Sequence, residues 1–278
     1  MNRLLSAGFV RLKKEKFLWI AVIFMALFGL SLAVSAYNSY HKYGLEPSLG
    51  RMLFAYGQFV GILASVFSGL FLGTEYSDGT MRNKLIAGHR RISVYLASLI
   101  LNVAASVLMV LSFQLSLFAA GALLLGLESF SVDAGFLLFH LAGGFLLTVA
   151  YCAIFTFISM LVQKRAVASV TAILASFILL FAGAYVMSRL SEPEYYSNYN
   201  ITMDSGDVVE TEREPNPHYL RGTERKVYEF LLDFLPGSQS LRLSEGGLDH
   251  WQPLAYSLLL AVFFTGGGVL LFKRKNLN

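Results

Sequence analysis

The chain has 278 residues, of which 55% are hydrophobic and only 14% are charged, and its formal net charge is +4. A soluble domain has about 45–50% apolar and about 25% charged residues, so the composition excludes an ordinary water-soluble fold. The excess of positive charge does not indicate nucleic-acid binding, because the basic residues cluster at the ends of apolar segments.

The N-terminal segment, residues 1–16, predicts a basic amphipathic helix. Leu5, Phe9 and Leu12 recur at helical spacing among several lysines and arginines. A helix of this kind lies along the membrane interface. The alternative is a basic tail that only sets the orientation of the first span.

Six apolar runs follow, each about the length that crosses a hydrocarbon core. They cover residues 17–36, 53–73, 92–125, 135–162, 166–187 and 254–272. The third run is longer than one crossing needs, so it can tilt, project beyond the membrane or bend back. The pattern predicts an all-α polytopic membrane protein, with five spans in residues 17–187 and the sixth span and a basic tail in residues 254–278.

The distribution of charge between the two sides orients these spans. With six spans, the side that holds both termini carries 14 basic and three acidic residues, and the other side carries eight basic and 15 acidic residues. Basic residues are enriched in cytoplasmic loops. The sequence therefore predicts a multi-pass protein of the cell membrane with both termini in the cytoplasm.

The longest polar segment, residues 188–253, is predicted to be a small extracellular segment between spans five and six. Two β-prone stretches flank residues 204–207, which favours a hairpin. Farther along, Thr223 is expected to cap an amphipathic helix that Pro236-Gly237 ends. The alternative is an unstructured loop.

Small residues recur at every fourth position of the second span. They are Gly57, Gly61, Ser65, Gly69 and Gly73. Such a stripe allows two helices to approach closely in a membrane. Packing within the chain is the favoured interpretation, and contact between subunits is the alternative.

The loop after the second span, about residues 75–91, predicts a short cytoplasmic helix. Ser77 or Asp78 is expected to cap its start, and Gly88 to mark its end. A rigid helix presented to the cytosol suits the transfer of force from a soluble partner, whereas the alternative is a simple connector anchored by positive charge. The candidate contact residues are Glu75, Tyr76, Asp78, Gly79, Thr80, Arg82 and Lys84.

The sequence offers no catalytic or metal-binding candidates. It contains no GxxxxGK[ST] phosphate loop, no HExxH motif and no paired-cysteine zinc spacing. The single cysteine, Cys152, lies inside an apolar run and is interpreted as a packing residue.

At the loop after the second span, the chain resembles the permease subunits of type-2 ABC exporters. Those permeases commonly carry a Glu-Tyr-x-x-Gly-Thr-x-Arg-like stretch, which Glu75, Tyr76, Gly79, Thr80 and Arg82 match. The resemblance extends to the basic leading helix and the six spans. The stretch FLPGSQ, residues 234–239, is similar to the outer Leu-Pro-x-x-Gln region of the same proteins.

The resemblance implies a membrane subunit that binds no cofactor of its own, with ATP and magnesium bound by a separate ATPase subunit. A second permease chain, identical or a sister, completes the membrane part. The helix near residues 78–85 would be the coupling helix, with Glu75, Arg82 and Lys84 in contact with the ATPase and Asp78 as the cap.

The neutral, aromatic-rich spans favour an amphipathic or hydrophobic substrate, such as a peptide, lipid or drug. Two other interpretations remain open on the residues alone. One is a membrane-embedded enzyme, and the other is a sensory or scaffold membrane protein that uses its extracellular segment.

Overall fold

The computed structural model describes residues 1–46, 48–162, 164–196, 200–202, 208–210 and 214–275. In this part of the chain, six helices are long and apolar enough to cross a membrane, which confirms the predicted all-α fold with six spans. The helices are α1 (Asn2–Lys14), α2 (Lys16–Tyr43), α3 (Leu49–Met52), α4 (Gly57–Ser77), α5 (Thr80–Ile86), α6 (Arg91–Leu125), α7 (Ala134–Leu161), α8 (Arg165–Leu190), α9 (Gly222–Phe234), α10 (Pro236–Glu245) and α11 (Gln252–Arg274). The spans are α2, α4 with the preceding α3, α6, α7, α8 and α11.

The two ends of the bundle differ in charge. We call the end formed by α1, α5 and residues 273–275 the basic end, and the end formed by the described part of residues 188–251 the acidic end. At the basic end, Arg91 at the start of α6 donates from Nη1 to the carbonyl of Phe272 at 3.1 Å. The first turn of one span is thereby tied to the last turn of another.

The third span is one continuous helix rather than a broken or paired one. Its 35 residues, Arg91–Leu125, are unbroken, and at 1.5 Å per residue they extend about 52 Å. The chain then turns back in a short 3-10 helix, Leu127–Phe130. The ring of Phe130 packs against Phe118 with centroids 4.9 Å apart.

Spans α4 and α7 are the most buried of the six, and neutral polar side chains join α7 to its neighbours. Asn102 of α6 donates from Nδ2 to Oγ1 of Thr156 at 3.0 Å. The hydroxyls of Ser68 in α4 and Ser159 in α7 are 3.2 Å apart. In a membrane, where helices gain nothing from the hydrophobic effect against each other, such hydrogen bonds help to fix the packing.

The acidic end begins with the strands β1 (Asn200–Thr202) and β2 (Val208–Glu210), which pair antiparallel with Asn200 opposite Glu210. The turn proposed at residues 204–207 lies outside the described residues. Helix α9 begins at Gly222, its N-cap is Arg221, and no side chain caps it, so the prediction of a Thr223 cap is wrong.

Pro236-Gly237 follows the end of one helix, as predicted, and also begins another helix, α10, which was not predicted. Helix α9 does end at Phe234, but Pro236 is the first residue of α10. Proline suits the first position of a helix, because its fixed φ matches the helical value. Its lack of an N–H costs nothing there, since an N–H at this position has no partner within the helix. The hydroxyl of Ser238 then donates to the carbonyl of Leu232 at 2.7 Å, so the new helix supports the end of the previous one.

Polar side chains hold α10 inside the acidic end of the bundle. Ser240 is buried and donates to the carbonyl of Gly57 at the start of α4. Arg242 donates from Nη1 to Oδ1 of Asp233 in α9 at 2.7 Å, and His250 Nε2 lies 2.9 Å from Oδ2 of the same carboxylate. These contacts tie α9, α10 and the approach to α11 together.

Candidate functional site

Glu75 is the centre of a cluster at the basic end. It lies in the last turn of α4, because this span continues to Ser77, four residues beyond the apolar run. Its side chain is 1% exposed, and Oε1 lies 2.6 Å from Nη1 of Arg11 and 2.6 Å from Nζ of Lys84. Two cations from two other helices therefore neutralise one buried carboxylate. The sequence interpretation placed Glu75 on a surface that contacts the ATPase. In the structure its side chain lies inside the bundle instead.

Arg11 connects this carboxylate to α1. Besides the ion pair, its Nη2 donates to the carbonyl of Phe71 at 2.9 Å, and its guanidinium lies 4.5 Å from the centre of the Phe71 ring. Arginine can make these contacts together because its planar group donates from several positions and stacks on aromatic rings. The N-terminal helix is thus fixed to the last two turns of α4.

Helix α5 leaves α4 through a tight reversal. Gly79 has a φ of +68°, a left-handed conformation that glycine adopts without strain, and it is the N-cap of α5. The hydroxyl of Thr80 donates to the carbonyl of Glu75 at 3.0 Å. Neither Ser77 nor Asp78 caps α5, so the predicted side-chain cap is wrong; Asp78 is instead the C-cap residue of α4.

The two sides of α5 differ in exposure. Met81 is buried, and Lys84 turns inward to Glu75. Arg82 and Asn83 are exposed, and Ile86 is 72% exposed. We call Arg82, Asn83 and Ile86 the outer face of α5. A single exposed apolar side chain does not by itself mark an interaction site; what distinguishes this face is that it is exposed on a helix whose other side is fixed to the bundle.

Tyr76, next to Glu75, connects α4 to the end of α7. Its hydroxyl donates to the carbonyl of Met160 in the last turn of α7 at 2.8 Å. Lys275, just after α11, donates from Nζ to the same carbonyl at 3.0 Å and to that of Leu161 at 2.5 Å. A cation is favourable here because the carbonyls at a helix C-terminus carry partial negative charge. Partial burial lowers the pKa of Lys275 below its ordinary value.

These contacts converge on one turn of α4. We call Arg11, Glu75, Tyr76, Lys84 and Lys275 the junction. It joins α1, α4, α5, α7 and the end of α11. The sequence nominated Glu75, Tyr76 and Lys84 but missed Arg11 and Lys275, which it interpreted as topological charges. The sequence did contain one signal for a nearby cation. Glu75 is an acidic residue at a membrane edge, and a carboxylate that is buried there requires a cation as its partner.

The small-residue stripe of α4 faces other helices of the same chain. A Cβ added at Gly69 would lie 2.6 Å from Cα of Ser169, and one at Gly73 would lie 2.9 Å from Cα of Arg165, both in α8. Ser65 donates to Oγ of Ser176, also in α8, at 3.1 Å. Gly61 faces the ring of Tyr151 in α7, and Gly57 faces the carbonyl of Ser240 in α10. The stripe therefore allows close packing against α7, α8 and α10.

A comparison with protein families matches residues 4–183 to the family described as ABC-2 family transporter protein. The match covers more than half of the chain and includes most of α1, all of α4 and α5, and every junction residue except Lys275. The chain belongs to the ABC-2 transporter family. The resemblance found in the loop after the second span is thereby confirmed, and the protein is a multi-pass membrane permease. A comparison with curated proteins finds no match.

In this ABC-2 family protein, the contact between Tyr76 and α7 can be tested by removing one atom. Tyr76→Phe is expected to lower the free energy of unfolding by about 1 kcal/mol, the net value of one hydrogen bond. The loss stays small because Lys275 still donates to the carbonyl of Met160. Thermal unfolding of the purified protein measures it. The matched control is Tyr43→Phe, since Tyr43 is 65% exposed; equal shifts for both variants would contradict the assigned role.

Proposed function

We propose that the protein is the transmembrane permease subunit of an ABC exporter in which a separate ATPase chain docks on the outer face of α5. One observation carries this proposal. Helix α5 is fixed on its inner side through Lys84 and Met81, while Arg82, Asn83 and Ile86 are exposed. The chain contains no phosphate-binding loop, so ATP and magnesium would be bound by the partner.

In the proposed orientation, the protein lies in the cell membrane and its basic end faces the cytoplasm. Support comes from the enrichment of lysine and arginine in short loops at that end. Both termini and α5 are then cytoplasmic, and residues 188–253 are extracellular. This orientation is the one in which an ATPase reaches α5.

Through the junction, a movement of α5 can be transmitted to the spans. A displacement of α5 acts on Glu75 through Lys84, and the same turn of α4 acts on α7 through Tyr76. ATP binding by the partner changes the conformation only if its contacts with α5 differ between the two states of the permease. A rigid helix with fixed inner contacts can transmit that difference in free energy to α4 and α7.

The proposed assembly contains two permease chains, identical or paired with a sister chain, and exports an amphipathic or hydrophobic substrate such as a peptide, lipid or drug. Support for the substrate class comes from the polar residues buried within the spans of the described chain. Between the two ends these are neutral residues such as Asn102 and Thr156, paired with each other. A carrier of inorganic ions usually has charged residues at this depth.

The docking surface can be tested with two substitutions on the outer face of α5. Arg82→Glu and Ile86→Asp are each expected to abolish co-purification with the ATPase subunit and the stimulation of its activity in lipid. Both side chains are exposed, so thermal unfolding of the permease should change by less than about 0.5 kcal/mol.

The matched control is Lys226→Glu, a charge reversal on the exposed side of α9 at the acidic end. It should leave co-purification intact. Normal assembly and ATPase stimulation in both α5 variants would show that α5 is not the docking helix. Failure of the wild-type chain to co-purify with any ATPase that carries a phosphate loop would favour the enzyme or receptor interpretations instead.

A further inference from the structure

Helix α1 packs against the bundle on one side only. Leu4, Gly8 and Leu12 are buried, and Gly8 is in close contact with the side chain of Leu101 in α6. Their spacing of four residues places them in one stripe along the helix. The opposite side of α1 is therefore left free by the described chain.

The free side combines cations with apolar side chains. We call Arg3, Phe9, Val10, Lys13 and Lys14 the outward face of α1; all five are exposed. None of its three cations forms an ion pair with another described residue. Arg11, on the buried side, is the cation of this helix that neutralises Glu75.

Trp19 places this face relative to the membrane. It lies in the first turn of span α2, is 47% exposed, and donates from Nε1 to the carbonyl of Lys13 at 2.8 Å. Tryptophan is enriched at the boundary between hydrocarbon and headgroups, where its ring is in apolar surroundings and its N–H finds a polar partner. The end of α1 therefore lies at headgroup depth.

We propose that the outward face of α1 is a docking surface for anionic phospholipid headgroups. Lys13, Lys14 and Arg3 bind lipid phosphates, while Phe9 and Val10 enter the boundary of the acyl chains. This mixture of exposed cations and apolar side chains is typical of helices that bind charged membrane surfaces. The attraction of one cation to an anionic surface corresponds to an enrichment of about fivefold.

The test uses Trp19 as a local reporter in the full-length chain. The sequence has two tryptophans, and Trp251→Phe leaves only Trp19 without disturbing the core, since Trp251 is 66% exposed. The protein is reconstituted in bilayers of phosphatidylcholine and phosphatidylglycerol, with brominated acyl chains on one lipid or the other. At equal mole fraction, brominated phosphatidylglycerol should quench Trp19 more strongly than brominated phosphatidylcholine.

Lys13→Gln with Lys14→Gln should remove this difference, and so should a rise in salt, which screens exposed charges. The control neutralises two exposed cations elsewhere at the basic end, Lys273→Gln with Arg274→Gln, and should leave the difference unchanged. Equal quenching by both lipids in the chain with intact lysines would overturn the proposal. A loss of selectivity in the control as large as in the α1 variant would also overturn it, by making the effect one of net charge alone.

A protein partner is the competing occupant of this face. If the Lys13 and Lys14 substitutions abolish co-purification with the ATPase while the lipid selectivity at Trp19 persists, the face belongs to that partner and the lipid proposal is wrong. The quenching measurement contains neither ATPase nor nucleotide. Its outcome is therefore independent of the proposed exporter function.

Discussion

Glu75→Gln is expected to destabilise the protein and to disconnect α5 from the spans. The substitution leaves two cations, Arg11 and Lys84, without the carboxylate that neutralises both. Removing one partner of a fully buried ion pair costs about 3–5 kcal/mol. Here the cations are 27% and 23% exposed and regain some hydration, so we expect a loss of about 2 kcal/mol. Thermal unfolding measures this loss, and ATPase stimulation by the reconstituted permease measures the coupling.

The control is Glu46→Gln, which removes an exposed carboxylate just beyond α2, far from the candidate contact residues, and should change neither measurement. A double-mutant cycle with Arg11→Gln isolates the ion pair, because the second substitution should cost less once Glu75 is gone. Costs that simply add would refute the pairing of Arg11 with Glu75.

A triple replacement separates stability from coupling. The variant with Arg11→Met, Glu75→Leu and Lys84→Met lacks all three charges that meet at the Glu75 carboxylate. Apolar replacement of a buried ionic cluster is often neutral or stabilising. We expect this variant to regain thermal stability but not ATPase stimulation. Recovery of both would show that Glu75 serves the fold alone.

The spans could be predicted because they depend only on the order of apolar and charged residues along the chain. Apolar length and the distribution of charge determine which segments cross the membrane and which end is basic, independently of any contact. The ends of the helices could not be predicted in the same way. Glu75 and Tyr76 look like loop residues in the sequence, yet they continue α4. Arg11 and Lys84 neutralise Glu75 through Oε1, and the carbonyl of Met160 accepts from the hydroxyl of Tyr76.

The candidate site could be predicted only in part, because only some of its residues lie next to each other in the sequence. The motif residues near Glu75 are adjacent in sequence, so a local pattern identified them. Arg11 and Lys275 join the junction only through tertiary packing, and a positive charge at a membrane edge already had a sufficient explanation in topology. The predicted cap of α5 failed because Gly79, in its left-handed conformation, lets the chain reverse without a capping side chain.

Helix α10 shows how an ambiguous signal misleads. Proline marks the end of one helix and equally the first turn of the next. Among the ten residues PGSQSLRLSE, only Leu241 and Leu243 are large and apolar, so the composition of the segment gives little indication of its burial. Its burial depends on partners elsewhere in the chain, such as the carbonyl of Gly57 for Ser240 and the carboxylate of Asp233 for Arg242.

Gly237→Ala is expected to have the largest effect on the fold. Gly237 of α10 lies directly against the backbone of α8, where an added Cβ would overlap the carbonyl of Leu179 and lie 3.1 Å from Cα of Leu180. Overpacking of a core typically costs about 1–3 kcal/mol, and more when the obstacle is backbone, which has no alternative rotamer. We expect a loss of about 3 kcal/mol in thermal unfolding and a smaller monodisperse fraction after purification.

The control is Gly247→Ala, just beyond the same helix, where the nearest atom, the carbonyl oxygen of Arg242, would be 3.6 Å from the new Cβ. Equal unfolding temperatures for the two variants would mean that α10 is not held against α8. Gly183 of α8 faces Gly237 and the backbone of Ser238, so Gly183→Ala should separate the same two helices. Once one methyl group has forced them apart, the second should cost little, and the two effects should be far from additive.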